Sequence, residues 1–177
     1  IICFLLVLGA TAFAADTGVI SGKVTVENGA MAIFDAKLYL YNYHKEIIDS
    51  TISSHTGLFE FVAVAGKYYL SAESGNFIRE YYPSAYQISE AARIVVNAGQ
   101  NVSVYFSLDR GGWLGGVFDF LGGHIERGLV TALKVDEPHA GWHRSVTITG
   151  QRPINYVLNG LIPGAYKVAA MASGKKT

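Results

Sequence analysis

Residues 18–24 read Gly-Val-Ile-Ser-Gly-Lys-Val, and residues 112–118 read Gly-Trp-Leu-Gly-Gly-Val-Phe. Both follow the pattern Gly-x-[Ile/Leu]-x-Gly-x-apolar. About fifty residues after each of them comes a second shared phrase, which is Gly66-Lys-Tyr-Tyr-Leu70 in the first case and Gly164-Ala-Tyr-Lys-Val168 in the second. Two landmarks that recur in the same order predict two copies of one structural unit.

The segments around these phrases have the pattern of β-strands. Short runs rich in Val, Ile, Tyr, Phe and Thr alternate with clusters of Gly, Asn, Asp and Ser, which predicts an all-β sandwich. Residues 88–93 could form one helical turn at most, and no longer helix is expected. Alternation along each strand predicts its inward face. In the first copy the inward residues are Ile20, Val24, Val26, Leu38, Leu40, Phe59, Phe61, Tyr68, Leu70, Ala72, Val102, Val104 and Phe106. In the second they are Leu114, Gly116, Phe118, Val130, Ala132, Val146, Ile148, Tyr156, Leu158, Tyr166 and Val168.

Composition limits the possible functions. The 177 residues are 50% hydrophobic and 16% charged, which is enough to build packed cores. The formal net charge is zero, and the sequence has no basic run beyond Lys175-Lys176. Nucleic-acid binding and electrostatic docking on anionic membranes are therefore not expected.

The first fifteen residues differ from the rest in kind. They carry no charge and run from an apolar stretch into the small-residue segment Ala10-Thr-Ala-Phe-Ala-Ala15. This is typical of a secretory signal peptide with an Ala-x-Ala cleavage site, here truncated at its start. Cys3, the only cysteine, would leave with it, so no disulfide is expected in the exported protein. We expect a bacterial protein that is secreted or displayed at the cell surface.

The repeated phrases also have a family likeness. Gly18-x-Ile-x-Gly-x-Val, Phe59-x-Phe61, Gly66-x-Tyr68-x-Leu70, Glu80-Tyr-Tyr-Pro83, Ala98-Gly-Gln100 and the segment 159–168 resemble carboxypeptidase regulatory-like domains. The resemblance covers nearly all of residues 17–177 and implies two tandem seven-stranded, prealbumin-like (transthyretin-like, Ig-like) β-sandwiches. Together with the signal peptide predicted at 1–15, this gives one sandwich at 16–109 and a second at 110–177. Only eleven residues follow Tyr166, whereas about forty follow Tyr68 before the first copy ends, so the second sandwich is expected to lack its last strands.

Motifs for catalysis or metal binding are weak. His139 and His143 have a spacing that would bind a metal on a helix, but Pro138 and Gly141 indicate a loop with exposed histidines. The sequence has no nucleophile elbow, no zinc-protease motif and no pair of acids expected to converge in a cleft. Lys23 is predicted to point to solvent, which argues against an isopeptide bond. We therefore expect no catalytic residue, no metal site and no cofactor.

The aromatic residues are the stronger indication of function. Tyr39, Tyr41 and Tyr43 are predicted to project from one strand, opposite Leu38 and Leu40. Further aromatic residues cluster around the segment after the central strand, and exposed tyrosines suit sugar stacking or protein contacts. The predicted binding residues are Tyr39, Tyr41, Tyr43, Tyr69, Tyr81 and Tyr82.

Three functional hypotheses follow. The first is an exported, non-catalytic spacer or adhesive module at the cell surface. The second is a carbohydrate-binding module, and the third is an accessory region of a larger secreted peptidase or glycosidase. The expected partners are a polysaccharide or another surface protein, with no nucleic acid and no membrane insertion after signal cleavage. The oligomeric state is left open.

Overall fold

The computed structural model of the protein describes residues 16–26, 29–119, 124–151 and 153–175. These residues are organised as strands, turns and loops, without an α-helix, which confirms the all-β fold class. Residues 88–90 form a turn, with the amide of Glu90 donating to the carbonyl oxygen of Gln87 at 3.1 Å. Among the described residues no helix is long and apolar enough to cross a bilayer. The predicted signal peptide and Cys3 lie outside the described residues.

Fourteen strands make up the described structure. Those before Asp109 are β1 (Thr17–Val26), β2 (Met31–Ala32), β3 (Lys37–Tyr41), β4 (Ile47–Ile52), β5 (Leu58–Val64), β6 (Gly66–Glu73), β7 (Glu80–Tyr81), β8 (Ile94–Val96) and β9 (Asn101–Ser107). Those after it are β10 (Gly112–Phe118), β11 (His124–Lys134), β12 (His143–Gln151), β13 (Ile154–Leu161) and β14 (Tyr166–Lys175).

The first nine strands form two sheets that face each other. In one sheet β1 pairs with β9 in parallel and with β5 and β2 in antiparallel orientation. In the other the order is β4-β3-β6, and β7 and β8 also pair with β6. The residues between the sheets form one hydrophobic cluster that includes Ile20, Leu38, Phe61, Leu70 and Phe106. Burial of each large side chain of this kind stabilises the fold by about 1.5–3 kcal/mol. All the inward positions predicted for the first copy lie in this cluster or pack against it, so these predictions are confirmed.

The last five strands repeat the pairing pattern of the first copy. β10 pairs antiparallel with β13 as β1 does with β5, and the order β12-β11-β14 corresponds to β4-β3-β6. A second cluster contains Val130, Ala132, Ile148 and Leu158. Val168 was wrongly predicted to be buried, because its side chain is 43% exposed. Val168 is on β14 and pairs with Ala132 on β11; β14 lies at the edge of its sheet, where solvent reaches the Val168 side chain.

The second shared phrase makes the same contact in both copies. The hydroxyl of Tyr68 donates a hydrogen bond to the carbonyl oxygen of Val64 at 2.6 Å. The hydroxyl of Tyr166 donates to the carbonyl oxygen of Ile162 at 2.5 Å. In each copy the acceptor lies four residues before the tyrosine. The Gly-x-Tyr phrase therefore fixes the turn between two strands that belong to opposite sheets.

Candidate functional site

Four of the six predicted tyrosines lie on the outer face of the β4-β3-β6 sheet. Tyr39 pairs with Ser71, and Tyr41 pairs with Tyr69, while Tyr81 on β7 also pairs with Ser71. Residues paired across strands share a face of the sheet, so this face carries a contiguous aromatic patch. Tyr39, Tyr69 and Tyr81 are half-buried on it.

Tyr41 was wrongly predicted to be exposed. It is only 6% exposed, because the ring of Tyr81 lies over it with 5.8 Å between ring centroids. Its hydroxyl lies 3.2 Å from the hydroxyl of Ser71. The strand β7 therefore covers part of the surface that the alternation of β3 assigns to solvent.

The other two predicted tyrosines lie elsewhere. Tyr43 follows β3 in a turn, is 56% exposed and has its ring 5.9 Å from that of His44. Tyr82 packs against the first hydrophobic cluster, with its ring 6.2 Å from that of Phe106. The structure thus does not gather the six residues into one surface. A binding role for them stays a prediction.

Sequence reasoning did not identify the charged network beside this patch. Glu73, at the end of β6, accepts hydrogen bonds on Oε2 from Arg79 Nη2 at 2.8 Å and from Arg144 Nη1 at 3.0 Å. Its other oxygen accepts the hydroxyl of Tyr39 at 3.2 Å, and the guanidinium of Arg79 lies over the Tyr39 ring, 5.4 Å from its centre. The Glu73 and Arg144 side chains are 14% and 21% exposed. Because Arg144 is on β12, this ion pair joins the two copies.

The environment shifts the ionisation of these groups. Burial opposes the charge on Glu73, but Arg79 and Arg144 outweigh burial and hold the pKa of its carboxyl below the usual value. Burial, with a smaller contribution from Tyr41, raises the pKa of Tyr81 to about 12. At neutral pH the network therefore contains one carboxylate, two guanidiniums and neutral phenols.

A cleft of about 700 Å³ opens beside the network. One wall is formed by Glu73, Arg79 and Tyr81 with the segment 86–88, and the other by residues 140–145. Most of the lining surface is polar. Its volume falls in the range of ordinary small-molecule sites.

The segment 139–143 supports this cleft. It is a turn between β11 and β12, as predicted, but His139 is not an exposed loop histidine, since its side chain is only 13% exposed. Its ring contacts that of Tyr86 at 5.3 Å, and its Nδ1 lies 3.4 Å from Gln87 Nε2. Within the described residues no group of three or more His, Cys, Asp or Glu side chains is placed to hold a metal ion.

A second surface lies on the outer face of the β1-β5-β9 sheet. Tyr105 there is 67% exposed and Leu58 is 55% exposed. Phe34 and His55 stack beside them with 4.1 Å between ring centroids. Together with Lys23, which is half-buried, they line a shallow groove of about 930 Å³. We call this surface the Tyr105 groove.

The junction between the copies is held by main-chain contacts. The amide of Ile78 donates to the carbonyl oxygen of Asp109 at 2.9 Å, and the amide of Gly111 donates to that of Asn76 at 2.9 Å. Glu80 is 1% exposed, and its Oε1 accepts the amide of Asp109 at 2.6 Å. The segment 109–111 therefore forms main-chain hydrogen bonds with residues 76–78, which follow β6.

Comparisons with known proteins add little to this geometry. No family model matches the chain, and none of the curated proteins matches it in sequence. Among solved structures, the Bacillus anthracis TIE protein is 10% identical with a TM-score of 0.44, over 89% of this chain and 29% of that one. A Streptococcal ancillary pilin is 9% identical with a TM-score of 0.43, over 92% and 60% of the two chains. A DUF3823 family protein from Parabacteroides merdae is 16% identical with a TM-score of 0.36, over 81% and 80%. The chain thus spans less than two thirds of the first two structures.

Proposed function

We propose that the chain is an exported, non-catalytic spacer or adhesive module of a cell surface, built from two β-sandwich units near residues 16–109 and 110–177. The observation that carries this proposal is the ion pair between Glu73 and Arg144, at 3.0 Å, beside a paired junction. A spacer holds a distance and an orientation only when its units do not swing freely. The contacts at this junction meet that requirement.

The junction leaves little freedom to the connecting segment. Its amides and carbonyls bond to residues 76–78, as the contacts of Ile78 and Gly111 show. Gly160 on β13 has a φ of +71°, and a Cβ there would lie 2.4 Å from the carbonyl oxygen of Phe77. The second copy therefore packs directly on the main chain of the first. Close packing of this kind favours one placement of the second copy relative to the first.

The ion pair adds to this restraint. Glu73 and Arg144 are largely removed from solvent, so salt screens their interaction less than it screens an exposed pair. Removal of Arg144 by substitution would leave part of the desolvation cost of the partly buried Glu73 carboxylate uncompensated, which is destabilising. Arg144 also donates from Nε to the carbonyl oxygen of Asn159 at 3.2 Å, which fixes its side chain on the second copy.

The non-catalytic part of the proposal rests on the surroundings of the acids. Glu80 is the described carboxyl that is most buried, and it faces the main chain of Asp109. Asp109 accepts the hydroxyl of Tyr86 on its carboxylate at 2.7 Å. Both acids are engaged at the junction. A structural role explains their contacts fully.

Pulsed electron–electron double resonance between two spin labels tests the rigidity of the junction. The labels are attached through Thr56→Cys and Thr149→Cys, because Thr56 is exposed in the turn after β4 and Thr149 is exposed on β12. Cys3→Ser removes the only native cysteine. We expect a single narrow distance distribution, and a broader one when Arg144→Ala is added. Small-angle scattering should give an elongated monomer.

The matched control is Arg127→Ala with the same labels, since Arg127 is an exposed arginine of β11; this variant should keep the narrow distribution. A broad distribution in the unmutated labelled chain would contradict the proposal. So would a compact, spherical scattering profile.

A further inference from the structure

The cleft beside Glu73 carries more positive than negative charge. Its charged lining consists of Arg79, Arg144 and Glu73, together with His143. Two guanidiniums and one carboxylate leave an excess of one positive charge even when the histidine is neutral. A ligand that complements this cleft therefore bears a negative charge.

The guanidiniums have donors beyond their contacts within the protein. Arg79 uses Nε and Nη2 on Glu73 Oε2, at 2.9 and 2.8 Å, and also donates a hydrogen bond to the hydroxyl of Tyr81. Arg144 uses Nη1 on the same oxygen and Nε on the Asn159 carbonyl. Since a guanidinium has five N–H groups in a planar fork, each has further N–H groups to offer. Planar forks match a carboxylate better than any other common anion except phosphate.

The rest of the lining suits a hydroxylated ligand. Tyr81, Tyr86, Gln87 and Ser145 supply phenol, amide and hydroxyl groups, and Trp142 lies among them with its ring half-buried. Neutral groups that both donate and accept match sugar hydroxyls, which do the same. Aromatic rings offer their faces and edges to the C–H groups of a sugar ring.

We propose that this cleft binds a carboxylated saccharide, with the sugar carboxylate on Arg79 and Arg144 and its hydroxyls on the neutral groups around them. An acidic peptide would satisfy the guanidiniums equally well. It would leave the hydroxyl and amide groups around them poorly matched, and the mostly polar wall favours the sugar for that reason. The inference rests on the proposed rigid junction, because Arg144 belongs to the second copy and Arg79 to the first.

Isothermal titration calorimetry with tetragalacturonate tests the inference on the full chain. The uncharged maltotetraose and the peptide tetraglutamate are the comparison ligands. We expect saturable binding of tetragalacturonate that weakens with added salt. Binding of the other two should be at least tenfold weaker.

Substitutions at Arg79 should weaken binding, because they remove donors of its guanidinium. Arg79→Gln removes one fork and should weaken tetragalacturonate binding at least tenfold, while the spin-label distance distribution stays narrow. A merely structural role of Arg79 would broaden that distribution as well. Arg79→Lys, which keeps the charge without the fork, should fall between Arg79→Gln and the unmodified chain.

Tyr105→Ala is the matched control, since it changes an exposed aromatic residue of the Tyr105 groove. It should leave the affinity unchanged. The inference is overturned if tetragalacturonate does not bind, if maltotetraose or tetraglutamate binds equally well, or if Tyr105→Ala abolishes binding while Arg79→Gln does not. If tetragalacturonate does not bind and the spin-label distance distribution is narrow, the saccharide site alone is refuted. If it does not bind and the distribution is broad, the rigid module is refuted as well.

Discussion

Replacement of Glu80 by glutamine should remove a large part of the pH dependence of stability. Glu80 is 1% exposed. Burial raises the pKa of its carboxyl from 4.5 to about 7; the amide of Asp109 opposes this shift, and the Asp109 carboxylate adds to it. The folded state thus binds the proton more tightly than the unfolded state. The contribution of Glu80 to stability is complete below about pH 4.5 and is lost as the pH rises through about 7.

The magnitude follows from the two pKa values. Each tenfold change in proton affinity corresponds to about 1.4 kcal/mol, so the interval from 4.5 to about 7 amounts to about 3 kcal/mol. Glutamine resembles the protonated acid, and its carbonyl oxygen can still accept the amide of Asp109. Glu80→Gln should therefore match the original chain at pH 4.5. It should exceed the original chain by about 3 kcal/mol at pH 8.

Urea unfolding at pH 4.5, 6 and 8, followed by circular dichroism, measures this difference. The comparison is made between variant and original chain at each pH, so that contributions common to both cancel. Glu60→Gln is the matched control, because Glu60 is exposed on β5. A difference between Glu80→Gln and the original chain that stays constant from pH 4.5 to 8 would refute the reasoning.

Two further predictions concern the repeat and the junction. Tyr68→Phe and Tyr166→Phe each remove one hydroxyl that donates to a carbonyl four residues earlier. Each substitution should therefore lower the free energy of unfolding by about 1 kcal/mol in urea titrations. An effect confined to one copy would contradict the equivalence of the two tyrosines. Gly160→Ala and Gly99→Ala both place a side chain at a φ of +71°, but only Gly160 meets a neighbouring atom, the carbonyl oxygen of Phe77. Gly99→Ala should lower the free energy of unfolding by about 1 kcal/mol, and Gly160→Ala should lower it clearly more. Equal losses of stability in calorimetry would show that the junction does not pack as described.

Alternation along the chain was sufficient to predict the first core. Ile20 and Val24 on β1 and Phe59 and Phe61 on β5 were assigned to the inside by their spacing alone, and each is buried. Such a pattern works because strand period and sheet face are linked by backbone geometry. Val168 shows the limit of prediction from alternation, since the residues of a strand do not reveal whether the strand lies at the edge or in the centre of its sheet.

The candidate site depended on contacts that no local pattern contains. Glu73 and Arg144 are far apart in the sequence, and neither belongs to a motif. The burial of Tyr41 depends on Tyr81, which arrives on the short strand β7. Trp113 follows the segment that joins the two copies, yet it is 75% exposed on β10. An aromatic residue near a boundary predicts burial only when the neighbouring surface is known.

The two repeated phrases account for the parts of the molecule that are alike, whereas the cleft lies where the copies differ. After β6 the first copy continues through residues 74–93, which supply Arg79, Tyr81 and Tyr86. The second copy contributes Arg144 from the hairpin that corresponds to β3-β4. Neither copy holds both guanidiniums, so Glu73 gains its second partner only through the tandem arrangement. A ligand that bridges the two arginines would consequently bind more weakly to either unit alone and would stabilise the junction in the full chain.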